Sequence, residues 1–355
     1  MLIENFISNS TVQVVDVTGG KMPDSEYFKI PAISNSKLSL LNADQGGDKA
    51  KYLAGFQHGF NSSLLLGTCV HGKILSEDEI LVSDYEGKPS GKLGYFIEKV
   101  YKYRKLGESI ESSISKASID ADYYKNKITP KILRNALQKG LDYYIRLSHG
   151  EFDDPIKDVY VLPKKDLETC NRCVKSIKNN FFIKRILSEN LIQEKKFMNE
   201  YAFFADFLVT LPDKSQMTLK LKGKADSIVI DPEKKIIYLN DVKTTSKPIY
   251  NFMDKVINGQ IVSGVLSHHH YYRQFALYML FLKWYCEKTL HLTGYTYRVN
   301  VWAVETTGEN KAENFPINQA WLDLGKKELK SLLIQIAFYQ LYGWDKDYEQ
   351  YVRDL

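Results

Sequence analysis

The sequence predicts an α/β chain built on a mixed sheet flanked by helices, and three observations carry that expectation. Apolar stretches of strand character at about 194–210, 215–230 and 236–243 follow one another across short charged turns. A helical stretch at 268–288 comes next, and then a further strand from Thr293 to Val304. Long helical regions stand on either side of this block, one extending to about 190 and the other running from Gln319 to Tyr342 and beyond.

The elements take their places in order. Residues 1–30 read as an N-terminal arm, and helices are expected at 34–56, after the capping serine of the segment Pro31–Leu41, and at 62–76. Residues 31–190 then form a basic, helical N-terminal part, and 191–355 form the core with its C-terminal helices. Within the core, Ala225–Ile230 reads as a strand, Asp231–Lys235 as a charged turn and Ile236–Lys243 as the returning strand. A connection at 246–266 containing Gly259 and Gly264 leads to the helix. No internal repeat, low-complexity tract or Walker-type phosphate loop is found, which argues against an ATP-driven motor.

Composition bounds the function classes. With 44% hydrophobic and 26% charged residues over 355 positions, the chain is of soluble globular type, able to build one large domain or a domain with a helical elaboration. No apolar run approaches a membrane span and the first residues lack a basic start, so a cytoplasmic location, in the cell or in a phage host, is expected. Four cysteines fit a reducing compartment.

Candidate chemistry concentrates in Gly223-Lys-Ala-Asp226 and Asp241-Val-Lys243. In a hairpin the start of the first strand lies beside the end of the second, which brings Asp226 next to Asp241. A period of two puts Asp241 and Lys243 on one face, with Val242 turned away. Two carboxylates and a lysine at a strand edge suit phosphodiester hydrolysis, where acids collect a hard divalent cation and the lysine orients or deprotonates water and offsets developing charge. Acid-x-Lys is a common triplet, and Glu86/Lys88, Glu194/Lys196, Glu233/Lys235 and Glu309/Lys311 also fit it. Those four lie in polar, charged surroundings that suit a solvated surface; only Asp241/Lys243 ends an apolar strand. Gln274 and Tyr278 stand one turn apart on a helix face, where amide and hydroxyl could meet a phosphate or the attacking water; an ordinary amphipathic helix is the alternative. His268-His269-His270 cannot converge on one ion and reads as a loop or a DNA-facing patch.

These residues, together with Ser63–His71, Arg273–Tyr278 and Pro31–Leu41, resemble the PD-(D/E)XK (restriction-endonuclease-like) nuclease superfamily, and within it the RecB-like branch that holds the RecE-like exonucleases. The resemblance spans most of 30–300 and departs from the pattern at the first acid, which follows Lys224-Ala225 instead of a proline. It implies catalytic roles for Asp226, Asp241, Lys243, Gln274 and Tyr278, and metal ligation at His71, Asp226, Asp241 and Val242. Glu200 matches an acidic residue ahead of the first metal aspartate, with a strand-edge surface glutamate as the alternative. For His71 the alternative is a hydrogen-bonded core histidine. Magnesium is the implied cofactor, with manganese able to substitute. The implied activity is 5′ to 3′ degradation of one strand at duplex DNA ends, by a ring-shaped homo-oligomer working with a single-strand annealing protein. A structure-selective endonuclease, a single-strand exonuclease or a non-catalytic DNA-binding scaffold are the other readings. Some relatives hold an iron-sulfur cluster on one cysteine ahead of the core and three near the C-terminus. Cys170 and Cys173 both precede the core here and only Cys286 follows it, so no cluster is expected.

Charge adds a regional signal. Residues 88–146 hold thirteen Lys/Arg to six Asp/Glu and residues 164–196 nine to four, so these stretches carry +12 in a chain whose net charge is +5. Tyr95, Tyr101, Tyr103, Tyr123, Tyr124, Tyr143 and Tyr144 interleave with the first. Such a surface could track a phosphate backbone and stack on an exposed base, with a solvated helical face as the alternative.

Overall fold

In a computed structural model of the chain, the described residues are 2–55, 62–75, 80–83, 88–123, 130–148, 160–187, 195–258 and 260–354. They fall into two compact units, one of residues 1–58 and 177–355 and the other of residues 59–176. Tyr124, Glu86, Glu194 and Gly259 lie outside the described residues.

The first unit opens with α1 (Leu2–Asn9), β1 (Thr11–Lys21), α2 (Asp24–Tyr27), α3 (Asn35–Ser39) and α4 (Lys49–Ala54). The second carries α5 (Ser62–Leu75), β2 (Ile80–Ser83), α6 (Gly91–Lys105), α7 (Ile110–Asp120), α8 (Pro130–Lys139), α9 (Leu141–Ser148), β3 (Tyr160–Pro163) and most of α10 (Lys164–Asn179). The first unit resumes with α11 (Phe181–Leu187), β4 (Lys196–Thr210), β5 (Gln216–Asp231), β6 (Ile236–Thr245), β7 (Lys255–Ile257) and β8 (Gln260–Val262). It ends with α12 (Val265–His268), α13 (Tyr271–Lys288), β9 (Thr296–Glu305), β10 (Ala312–Ile317), α14 (Gln319–Tyr342) and α15 (Tyr348–Asp354).

Six strands form a mixed sheet in the order β1-β4-β5-β6-β9-β10. All neighbours pair antiparallel except β6 and β9, which run parallel. A parallel pair needs a crossover, and α13 supplies it. Residues 1–30, expected as an arm, therefore contribute an edge strand: Thr11 to Lys21 runs against Thr210 to Tyr201. Past it, Ile33 bridges to Leu221, its N–H donating to the Lys220 carbonyl at 2.8 Å.

The expected helix at 34–56 is broken in two. Ser34 caps α3 by accepting the Lys37 N–H at 3.2 Å, but Gly46 adopts φ 69°, and Asp48 has to cap a new helix. A similar break at His270, φ 51°, starts α13 at Tyr271 instead of 268. By contrast α14 runs from Gln319 to Tyr342 as expected, capped by Asn318 Oδ1 on the Trp321 N–H at 3.1 Å and stopped at Gly343.

The core packs α13 and α14 on one face of the sheet, with Phe275, Phe281, Leu282, Leu333 and Phe338 buried against Phe203, Phe207 and Leu239. Each such side chain contributes roughly 1.5–3 kcal/mol by leaving water. In the second unit Phe96, Ile97, Val100, Ile114, Ala117, Leu133 and Tyr144 make a separate helical core.

Candidate active site

The local geometry begins with an interruption in the sheet. β4 pairs with β5 through Asn199↔Ser227 and Tyr201↔Ala225, skipping the Glu200/Asp226 position between them. Glu200 has φ 51°, a conformation that a non-glycine residue rarely takes in a strand. The β5–β6 ladder ends at Ser227↔Asn240, one step short of Asp226 and Asp241. In place of a further ladder bond, Asp226 Oδ2 accepts the Val242 N–H at 2.7 Å. Beyond this point Asp241 to Thr245 pair with β9 alone among the described residues. The hairpin expectation thus holds for neighbourhood, and the ladder gives way where the acids stand.

Asp241 is 1% exposed and lies 2.5 Å from Lys243 Nζ, itself 15% exposed. Gln274 reaches over from α13, Nε2 donating to Asp241 Oδ1 at 3.0 Å, so it faces the strand instead of lying on the helix flank. Tyr278, one turn on, is buried, and its ring fills the space above Gly223; a Cβ at 223 would collide with it. Glu200 and Asp24 both pair with Lys224, at 2.5 and 2.7 Å. Lys224 and Asp226 share a strand face, a signal that sequence reasoning passed over, and Asp24 brings the N-terminal segment to the same place.

Electrostatics single out Asp226. Burial pushes its carboxyl up to about 6, with Glu200 adding to the rise, while Lys243, the Val242 N–H and Lys224 only partly counter it. Burial draws the Lys243 ammonium down, but Asp241 and Asp226 more than offset this and hold it above its ordinary value. Burial raises the Tyr278 hydroxyl as well. The donor set is oxygen-rich and desolvated, and Lys243 meets the charge of Asp241 more fully than that of Asp226. A hard divalent cation fits that imbalance.

Other parts were not anticipated. Tyr271 places its ring centroid 4.9 Å from Lys243 Nζ. Arg273 is fully buried and bonds Asn35, Ser39, Gln45 and Glu328, fixing the start of the helix that carries Gln274. His270 Nδ1 meets Glu328 at 2.9 Å, while His268 and His269 are exposed. A lone arginine in an apolar helix gives no sequence signal for such a network.

His71 lies on α5 of the second unit, half-buried, and its part as a ligand rests on the resemblance. Cys170 and Cys173 are buried thiols on α10, and Cys286 is buried on α13. Of the interleaved tyrosines in the described residues, Tyr144 is core and Tyr123 stacks on Phe96 at 4.9 Å, while Tyr95 alone is exposed. The stacking surface expected from the sequence reduces there to Tyr95, flanked by Lys88 and Lys99 at 5.8 and 5.2 Å from its ring.

No protein-family model matches the chain, and no curated protein matches it. Among solved structures it is similar to a crystal structure at 2.19 Å of a protein from Eubacterium rectale, provisionally described as an exonuclease. The alignment covers 89% of this chain and 86% of that one, at 12% identity and a TM-score of 0.43.

Proposed function

We propose that the chain is a divalent-metal-dependent deoxyribonuclease with a PD-(D/E)XK core, acting as a RecE-like exonuclease on duplex DNA ends. One observation carries the reading: Asp226 Oδ2 on the Val242 N–H, which sets a desolvated carboxyl beside the Asp241–Lys243 pair where the ladder stops. Asp226 and Asp241 would hold magnesium or manganese, with Glu200 and the main chain of Val242 next in reach of the same role. Bound there, the ion would polarise the phosphodiester and acidify its water.

The side chains have separable tasks. Lys243 is an ammonium at neutral pH, so it serves as a donor to phosphate or water and offsets charge in the transition state, and proton abstraction falls to another group. Gln274 orients the Asp241 carboxylate through its 3.0 Å bond. Tyr278 supports the floor at Gly223. Strand polarity, a ring-shaped homo-oligomer and an annealing partner belong to the same proposal through the resemblance.

A second reading, a DNA-binding scaffold without catalysis, draws on the Asp241–Lys243 pair, which is complete without an ion. End-labelled linear duplex and covalently closed circles, each with and without magnesium, separate the readings. Magnesium-dependent loss of linear DNA alone supports the exonuclease. Cutting of circles points to an endonuclease, and binding without cleavage in magnesium and manganese points to the scaffold.

A further inference from the structure

The opposite face of the same sheet carries a cavity of about 590 Å³, bounded by α11, β6, β9 and β10. Strand alternation puts Tyr238 and Asn240 on this face of β6, turned away from Asp241 and Lys243. The register aligns Tyr238 with Arg298 and Asn300 with Pro316, so the lining is built from rows across three strands.

Four cations line it, Arg185, Lys195, Lys234 and Arg298, and no acid among the described residues does. Lys234 leans on Asp231 at 3.4 Å, whereas Lys195 and Arg298 have no acidic partner among the described residues. The floor is different. Asn300, 5% exposed, gives its Nδ2 to Asn240 Oδ1 at 2.9 Å, which fixes the carboxamide and leaves its oxygen uncommitted among the described residues. The buried Asn314 Oδ1 has no hydrogen-bond partner among the described residues, and neither has Asn240 Nδ2, on the same face of the sheet. Buried polar atoms left in that state are costly unless a ligand or water meets them. Tyr238 and Phe182 add ring surface.

We propose that this cavity binds a mononucleotide: a planar base bearing a phosphate. Cations at the wall meet the phosphate, two carboxamide oxygens accept from the exocyclic amine of the base, and the rings cover its face. The volume lies within the range of small-ligand sites, roughly 300–1,000 Å³. Because none of these residues belongs to the Asp226–Asp241 site, the inference stands apart from the nuclease reading.

Calorimetry on the full chain in EDTA, with dAMP, adenosine and inorganic phosphate as probes, tests it. dAMP should bind at least about tenfold tighter than either fragment, since it alone engages both halves of the site. Arg298→Glu should weaken dAMP about tenfold or more, and Asn314→Leu should bring dAMP down to the phosphate level while leaving phosphate binding unchanged. Circular dichroism checks folding, and Lys195→Glu, on the loop leading into β4, replaces Arg298→Glu should that variant fail to fold. The proposal is overturned by dAMP binding no better than phosphate, which marks a plain basic surface, or by indifference to the charge reversal. A single-stranded oligonucleotide binding far tighter than dAMP, with the same sensitivity, overturns it in favour of a strand track.

Discussion

Lysine meets a carboxylate at 2.5 Å in both units, yet the two meetings differ in kind. Lys243 and Asp241 are 15% and 1% exposed; in the second unit Lys116, on α7, and Glu108, between α6 and α7, are 48% and 32% exposed. Exposed pairs of that sort contribute little, because water and salt screen them and holding two long side chains costs entropy. In the sheet the same contact is made without water, so each charge depends on its neighbours and removing one leaves another stranded. Distance alone would class them together, and burial separates them.

The largest test of that contrast removes the acids. Asp241→Asn and Asp226→Asn preserve shape and delete a negative ligand, so turnover should fall by about a thousandfold or more while DNA binding stays within a fewfold. Near-normal turnover in either folded variant removes the site assignment.

Lys243→Ala comes next. Turnover should drop by roughly two to three orders of magnitude, with manganese affinity changed only a fewfold, as expected for charge offset in the transition state. Titration calorimetry beside rate measurements distinguishes this from a structural pair, for which metal affinity would change strongly and chemistry would survive.

A smaller and more diagnostic effect is the pH dependence of Asp226. Its carboxyl sits at about 6 in the folded chain against an ordinary value of 3.8, so the native state holds the extra proton between these values. Stability from this group is therefore highest below about pH 4 and falls as pH rises towards 6 and above. Asp226→Asn should be as stable as wild type near pH 4 and more stable at pH 7, by an amount on the order of 1–3 kcal/mol, in metal-free chemical denaturation. Activation by metal should decline as pH drops through 6, because the proton competes for the carboxylate. A stability gain for the variant that is larger at low pH would mean that a partner holds Asp226 ionised.

How much of this was legible follows from what each residue's state depends on. β4, β5 and β6 announce themselves through long apolar strands broken by charged turns, and the hairpin alone brings Asp226 to Asp241. β1 and β10 were missed because they are edge strands: β1 buries only Val17 fully, and β10 is short with Pro316 inside. The exposed β7–β8 ribbon hid inside an expected connection. Within the site, Gln274 was found by its helical spacing, but its hydrogen bond to Asp241 depends on how α13 lies on the sheet. Arg273 and Lys224 act through partners far away in sequence, Glu328 and Asp24, and no local pattern encodes those meetings. The basic tyrosine-rich stretch misled in the opposite direction, since spacing cannot tell a core tyrosine such as Tyr144 from an exposed one such as Tyr95.

The smallest expected effect lies on α6, where four of the five basic residues, Lys99, Lys102, Arg104 and Lys105, differ in what already occupies them. Lys99 pairs with Asp120 at 3.2 Å and Arg104 donates to the Glu108 carbonyl, whereas Lys102 and Lys105 are exposed, with Lys105 resting 5.5 Å from the Tyr101 ring centroid. If this helix meets DNA, the exposed pair neutralises most of the phosphates. Lys102→Glu with Lys105→Glu should then weaken duplex binding and reduce the slope of log affinity against log salt by about 0.9 for each phosphate that is no longer neutralised. Lys99→Glu should change the slope less, because that charge is already committed to Asp120, and its cost should appear instead as a modest loss of stability in the helical unit. Equal slope changes from all four positions would show that a local ion pair does not withdraw a lysine from DNA, and no change from any would remove α6 from the binding surface.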